Sequence, residues 1–366
     1  MKKTPIHPRH LSLSAKMAPF AGYEMPLHYE GYGVIKEHEA ARTGAALFDT
    51  CHMGVFHVGG IGGLWELETM LSCDIEDMKV GACRYGFMCN HAGGVIDDMI
   101  VYRMNDKDFM LVTNAVNEKK VLFQLKNYTA EFTWFRNDTE STAKIDVQGP
   151  KSPKIVAGLM REPIDGIKFY NFAKNFYRDA EVIVSRTGYT GEIGFEVYCP
   201  VEAAGDFWDD CVAAGAVPAG LGARDILRLE MGFPLYGHEL GEDRNAAQSG
   251  FSRALSGKKD FIGSGAALDP LAAGQILCGI SLEGRRSARQ GDAVLDGGGT
   301  AVGVVTSGSF SPSLGHAIAL AYVDKNCAVA GTALRIVCGK AEIAGKACQP
   351  PFYKNATARA DIKLYL

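Results

Sequence analysis

The sequence predicts an α+β protein of two or three domains, ending in a separate small β-barrel or sandwich. Three observations carry this. The chain has 366 residues, long for one core at roughly 150 residues per domain. Up to about residue 274, hairpin signals interleave with amphipathic, helix-period stretches. Beyond residue 275, short apolar runs alternate with Gly/Ser turns, at the spacing of roughly 8 to 12 residues that marks an all-β unit. The domain reading is therefore an α+β region over 1–274 and a barrel over 275–366, with the boundary in SGAALDPLAAG (264–274).

Taken in order, GLWELETMLSC (63–73) puts Leu64, Leu67 and Leu71 on one face, with Glu66 and Glu68 off it, and predicts a helix. RYGFMCNHAGGVIDDMIVYRM places two apolar runs around Asn-His-Ala-Gly-Gly and predicts a hairpin. After the polar turn NDKD, FMLVTNAV (109–116) predicts a further strand. DVQGPKSPKIVAGLM gives strand, Gly-Pro turn and helix. AEVIVSRTGYTGEIGFEVYCP (180–200) is a second hairpin, with Val182, Val184, Phe195 and Val197 around a Gly-rich turn. PAGLGARDILRLEMGFPLYG predicts a helix from about Ala223 that stops near Gly-Phe-Pro. The barrel strands are QILCGISLEG, DAVLDGGGTAVGVVTSGSFSPSLG, HAIALAYV, ALRIVCG and KAEIAGKAC.

Composition narrows the function classes. Hydrophobic residues are 47% and charged residues 22%, with a net charge of −4. That gives no bulk attraction to nucleic acid or to an anionic membrane, and no apolar run approaches the roughly 18 residues of a membrane span. A cytoplasmic location is the expectation. The ten cysteines form no C-x-x-C and are expected to be reduced small hydrophobes. No P-loop, G-x-S-x-G elbow or H-E-x-x-H is present, GLGARD lacks a dinucleotide fingerprint's third glycine, and the histidines are scattered. No metal is expected.

Three features carry chemistry. In GGVIDDMIVYR (93–103), strand alternation sends Asp97 and Asp98 to opposite faces. Either both touch water at the hairpin entry, or one sits in a cleft where it can hold or shift a proton. In RTGYTGEIGFE, glycines bracket Tyr-Thr, and Glu192 and Glu196 stand four apart. A carboxylate there suits a ring with adjacent N–H and NH2 donors, and a charged surface hairpin is the alternative. In GARDILRLE, Arg224 and Arg228 are like-charged i,i+4 neighbours. They are answered either by Asp225 and Glu230 or by a bound carboxylate.

AKMAPFAGYEMPLHY, FDTCHMG, GGVIDDMIVYR, LVTNAV, SRTGYTGEIGFEVY, GLGARDILRLEMGFPLYG, VTSGSFSPSLGHAIALAYV and PPFY follow one another from Thr4 to about Tyr353. In that order they resemble the aminomethyltransferase (T-protein) family of the glycine cleavage system. The resemblance implies a three-domain cloverleaf around a central folate channel. It also implies transfer of the one-carbon unit from the aminomethylated lipoyl arm of H-protein to tetrahydrofolate, releasing ammonia and 5,10-methylenetetrahydrofolate. Tetrahydrofolate is then the co-substrate and lipoylated H-protein the partner, with no nucleic acid, membrane or metal involved.

By motif, Asp98 resembles the family's catalytic carboxylate and Glu196 the carboxylate that grips the pterin edge. Tyr85 and Asn114 match folate-lining positions, Tyr189 lies in the ring-contacting turn, and Arg224 matches an arginine assigned to the folate's carboxylate tail. Asp97 is expected on the opposite face, steadying the turn. Tyr23 stands where Trp is usual, and Thr50-Cys51 where Val-Ser is usual. HELGEDRNAAQSGFSRALSGKKDFIG (238–263) lacks the usual Thr-Pro pair and Trp, a change expected to touch the domain junction or the H-protein contact but not the folate site. Two alternatives stand beside this reading, an enzyme on the same scaffold and a non-enzymatic folate-binding protein. A folate-dependent demethylase diverges from the pattern in the early blocks and around IDD, which are kept here. A folate-binding iron–sulfur assembly protein carries K-G-C-[YF]-x-G-Q-E, which is absent here.

Overall fold

A computed structural model describes residues 1–269 and 274–366. The expected boundary stretch, 264–274, lies partly outside the described residues. Before it, Ser264–Ala267 makes one helical turn, and after it Gln275 opens the first barrel strand.

The chain enters a six-stranded sheet with Ala46–Asp49, then leaves to build a whole five-stranded sheet before returning with Thr142–Gln148. The five-stranded sheet runs, in spatial order, Cys83–Cys89, Val95–Arg103, Phe109–Thr113, Gly54–Gly60 and Thr133–Asn137, antiparallel throughout. The six-stranded sheet is antiparallel except where Val217–Ala219 lies parallel to Ala46–Asp49. Both predicted hairpins form. Cys83–Cys89 pairs with Val95–Arg103, Ala180–Ser185 pairs with Gly194–Pro200, and Val182, Val184, Phe195 and Val197 are all buried. The C-terminal strands close into a six-stranded barrel around Ile280, Val294, Val305, Ala319 and Ile336. Among the described residues, no helix is long and apolar enough to cross a membrane.

Tertiary contacts move three element ends. The helix at Gly63 stops at Met70 rather than Cys73, because Leu71 turns extended and bridges to Met88. The strand at Phe109 stops at Thr113, because Asn114 leads into the turn Ala115–Asn117, whose terminal Asn117 is tied by its side chain to Asp97. The arginine helix spans Leu221–Glu230, starting two residues earlier than expected. Its Ala223 and Leu227 pack on Ala41 and Phe48, which turns Arg224, Asp225 and Arg228 towards the centre of the molecule.

One strand has an unusual polar face. TAKIDVQ (142–148) alternates apolar Ala143, Ile145 and Val147 with Lys144, Asp146 and Gln148. The apolar set joins the main core, as period two requires. The polar set is also buried, at 2%, 0% and 0% exposure. Instead of facing solvent, it is covered by the neighbouring elements that surround the site.

Candidate active site

Between the two sheets, the arginine helix and the segment 233–251 lies a cavity of about 360 Å³, within the range of small-ligand sites. Tyr85, Asp98, Asn114, Tyr189, Glu196 and Arg224, the six residues singled out from the sequence, all line it.

The two aspartates have different surroundings. Asp98 lines the cavity beside Ile100; its Oδ2 accepts from the Tyr85 hydroxyl at 2.9 Å and its Oδ1 from Asn114 Nδ2 at 2.7 Å. Asp97 is fully buried and accepts from the Asn114 backbone N–H at 3.1 Å, Asn114 Nδ2 at 2.9 Å and Asn117 Nδ2 at 2.7 Å. Asp97 therefore holds the segment after the next strand rather than its own hairpin turn. That turn is held by Asn90, whose Oδ1 accepts from the Ala92 and Gly94 N–H groups. Burial pushes both carboxyls up. Asp97 is raised further by the charge of Asp98, and Asp98 itself reaches about 6, since hydrogen bonds from neutral donors only partly offset desolvation.

Across the cavity, Glu196 sits in a charge-balanced cluster. Lys144 Nζ donates to Glu196 Oε1 at 2.8 Å, to Asp146 Oδ1 at 2.6 Å and to Thr50 Oγ1 at 3.2 Å. Asp146 Oδ2 accepts from Arg224 Nη1 at 3.0 Å. Glu196 Oε2 accepts from Thr187 Oγ1 at 2.6 Å and from the Tyr102 hydroxyl at 3.3 Å. Burial pushes the Asp146 carboxyl up, but Lys144 and Arg224 outweigh it and hold it below the usual range. Neither Lys144 nor Asp146 was singled out from the sequence. The departure at Thr50-Cys51 falls on this cluster too: Thr50 Oγ1 reaches Asp146 Oδ1 at 2.9 Å, and Cys51 Sγ lies 3.3 Å from the Lys144 carbonyl.

Of the two internal partners considered for the arginine pair, Asp225 takes that part and Glu230 does not. Arg228 bonds Asp225 and Glu239, whereas Glu230 goes to His38 and Arg42. Glu192 likewise pairs with Arg42, away from Glu196. Tyr189 stacks on Phe233 at 5.7 Å, with the Arg224 guanidinium 4.9 Å from its ring. At Gly188, beside Tyr189, an added Cβ would come within 2.0 Å of Gln148 Oε1, so any side chain there would displace the Gln148 amide.

Four further lining residues are His52, Tyr170, His238 and Phe251. Among the described residues, His52 Nδ1 is buried with no hydrogen-bond partner, and burial lowers this ring to about 4. His238 Nδ1 donates to the Thr306 carbonyl at 3.0 Å, which ties the cavity wall to the barrel. His238 and Phe251 belong to the divergent 238–263 segment. The expectation that this segment leaves the site untouched is thus corrected. Its Leu240, Ala246, Ala254 and Phe261 pack on Phe87, Cys89 and Val95, and that packing carries Phe251 to the cavity.

Comparison with known proteins agrees with this architecture. Residues 6–259 match the family model of the GCVT N-terminal domain, and residues 276–354 that of the glycine cleavage T-protein C-terminal barrel domain. The chain is 39% identical to the aminomethyltransferase of Chloroherpeton thalassium, over 97% of this chain and 100% of that protein. It is also 39% identical to that of Saccharopolyspora erythraea, over 97% and 98%. The crystal structure of the glycine cleavage system aminomethyltransferase T from Bartonella henselae superposes with a TM-score of 0.91 at 30% identity, covering 97% of this chain and 99% of that one. The chain belongs to the glycine cleavage T-protein family of aminomethyltransferases.

Proposed function

We propose that this aminomethyltransferase binds tetrahydrofolate in the cavity between its sheets and takes the one-carbon unit from lipoylated H-protein. The single observation that carries the proposal is the convergence of Asp98, with its carboxyl raised to about 6, and Glu196 on one cavity walled by Tyr85, Tyr170, Tyr189 and Phe251. Aromatic walls with a buried carboxylate fit a flat heterocycle with N–H donors, so the residues present suit the ring.

When bound, tetrahydrofolate would supply the two nitrogens, N5 and N10, that take the one-carbon unit, giving 5,10-methylenetetrahydrofolate as ammonia and dihydrolipoyl H-protein leave. Asp98 is the acid–base group of this chemistry: its carboxyl is raised towards neutrality, so it takes up and gives back a proton at small cost. Tyr85 and Asn114 fix both of its oxygens and hold it in one orientation. Glu196 accepts from the ring edge. Tyr189 flanks the ring, and Arg224, with one Nη1–H on Asp146, keeps further N–H groups for an anionic tail. Little covalent help is required of the protein, because alignment supplies much of the rate. The same proposal divides the chain into a folate-binding region, 1–274, of two interleaved α+β subdomains and a barrel domain, 275–366. A cytoplasmic setting is supported by the ten cysteines, all free thiols.

The test is to incubate the protein with tetrahydrofolate and aminomethylated H-protein, with methylated sulfonium donors as control substrates. Ammonia and methylenetetrahydrofolate are expected from H-protein alone. Turnover only with the sulfonium donors would replace this reading with demethylation.

A further inference from the structure

We propose that Lys144 is a positioning residue for Glu196, and thereby sets the affinity of the cavity for an N–H donor on the edge of a pterin-type ring. The proposal rests on the reading of Glu196 given above. It starts from the inventory of donors and acceptors. An ammonium has three N–H donors, and those of Lys144 point to Glu196 Oε1, Asp146 Oδ1 and Thr50 Oγ1. None is left for a ligand, although Lys144 lines the cavity. Whatever Lys144 does for binding, it does through its neighbours.

Glu196 depends on it. The carboxylate is 4% exposed, and an ionised carboxylate at that depth requires a cation or several donors. Among the described residues, Lys144 is the one cation that Glu196 bonds directly; its other partners are the hydroxyls of Thr187, Tyr102 and Tyr198. Those hydroxyls occupy Oε2. A carboxylate has about four accepting sites, so the capacity that remains for a ligand lies on Oε1, the oxygen Lys144 holds. The ammonium therefore fixes both the charge and the aim of the group that meets the ring.

Lys144 is in turn built into the site. Asp146, fully buried, bridges it to Arg224, so Lys144 and Arg224 balance Asp146 and Glu196 in sign. Thr50 supplies the third acceptor. An apolar side chain at position 50 would leave one ammonium proton without a partner in a 2% exposed site, so Thr50 helps to hold the lysine in place.

The experiment is a double-mutant cycle on the full chain. Tetrahydrofolate Kd, kcat and KM are measured for wild type, Lys144→Met, Glu196→Gln and the double variant, with a thermal melt of each. Lys144→Met is expected to weaken tetrahydrofolate binding by about tenfold or more in the wild-type background. In the Glu196→Gln background the further loss should be less than about twofold, since coupled partners are non-additive. The loss should appear in KM, with kcat kept within about threefold. Equal losses in both backgrounds, or no loss in either, overturn the proposal. If Lys144→Met does not melt cooperatively, Lys144→Met/Asp146→Asn removes one charge of each sign and enters the same cycle with the same expectations. Failure of the underlying reading looks different: wild type would not bind tetrahydrofolate, or Glu196→Gln alone would leave Kd unchanged.

Discussion

The cavity has two carboxylate centres, and the protein treats them in opposite ways. On the five-stranded sheet, Asp97 and Asp98 lie side by side and receive hydrogen bonds from a phenol, two side-chain amides and a backbone N–H, none of them a cation. On the six-stranded sheet, Asp146 and Glu196 are matched by Lys144 and Arg224. Desolvation raises the carboxyl at both centres, so it alone cannot explain why that of Asp98 is pushed up to about 6 while that of Asp146 is held down. The partners decide. A movable proton near neutral pH is found where cations are withheld, and a permanent acceptor where they are supplied.

Asp98→Asn breaks this comparison most directly. Turnover should fall by about a hundredfold or more, the scale of acid–base assistance, while tetrahydrofolate affinity stays within several-fold. Stability should move the other way. The folded-state carboxyl is raised, so its ionised form opposes folding, and the penalty grows between the ordinary value near 4 and about 6 and is constant above. Asparagine removes it, and unfolding at pH 7.5 should cost on the order of 1–3 kcal/mol more than in wild type. In the wild-type enzyme the rate should decline as pH falls through about 6, where Asp98 takes up its proton. A fully active Asp98→Asn enzyme would remove Asp98 from the chemistry, and an unchanged unfolding free energy would remove the contrast itself.

Asp146→Asn sharpens the comparison from the other side, with a smaller effect on turnover and the opposite sign on stability. Its carboxyl is lowered in the folded state, so it contributes stability above its unfolded value that is lost as pH falls through the folded one. Asparagine leaves Lys144 and Arg224 in excess of one buried anion, and loss of about 2–4 kcal/mol is expected, read by chemical denaturation. A stabilised Asp146→Asn variant would mean that the two centres do not differ in kind.

How much of this was legible follows from what is local. The hairpins could be read because their turns carry glycine and their apolar positions alternate within a few residues, as in Val182, Val184, Phe195 and Val197. The motif residues Tyr85, Asp98, Asn114, Tyr189, Glu196 and Arg224 could be read because each stands in a block whose order matches a known family. Lys144 and Asp146 could not. Their strand alternates like one with a solvated face, and the groups that bury that face are Glu196 and Arg224, 52 and 78 residues further along the chain. The available signal was the polar pair at 144 and 146 together with the exchange at Thr50, three positions that meet only in space. The reach of segment 238–263 into the cavity was hidden for the same reason. Its apolar residues pack on the hairpin around Val95, and no periodicity in that segment announces it.

The smallest expected effect concerns Cys83, which lies between the two sheets in a cluster with Val55, Tyr102, Met110 and Phe172. A thiol at such a junction invites a catalytic role, and nucleophilic or redox chemistry there requires the thiolate. Burial pushes the Cys83 thiol well above its ordinary value, which keeps it protonated and inert at physiological pH. Cys83→Ser should therefore keep kcat/KM within about twofold. It should cost about 1–3 kcal/mol of stability, from placing a hydroxyl in a mostly apolar cluster where Ser185 is a polar neighbour. Activity assays and a denaturant titration on the same preparation separate the two effects. If the serine variant unfolds cooperatively near the wild-type midpoint yet turns over a hundredfold more slowly, the sulfur takes part in the reaction, and the division of labour between one titrating carboxylate and one charge-balanced acceptor is incomplete.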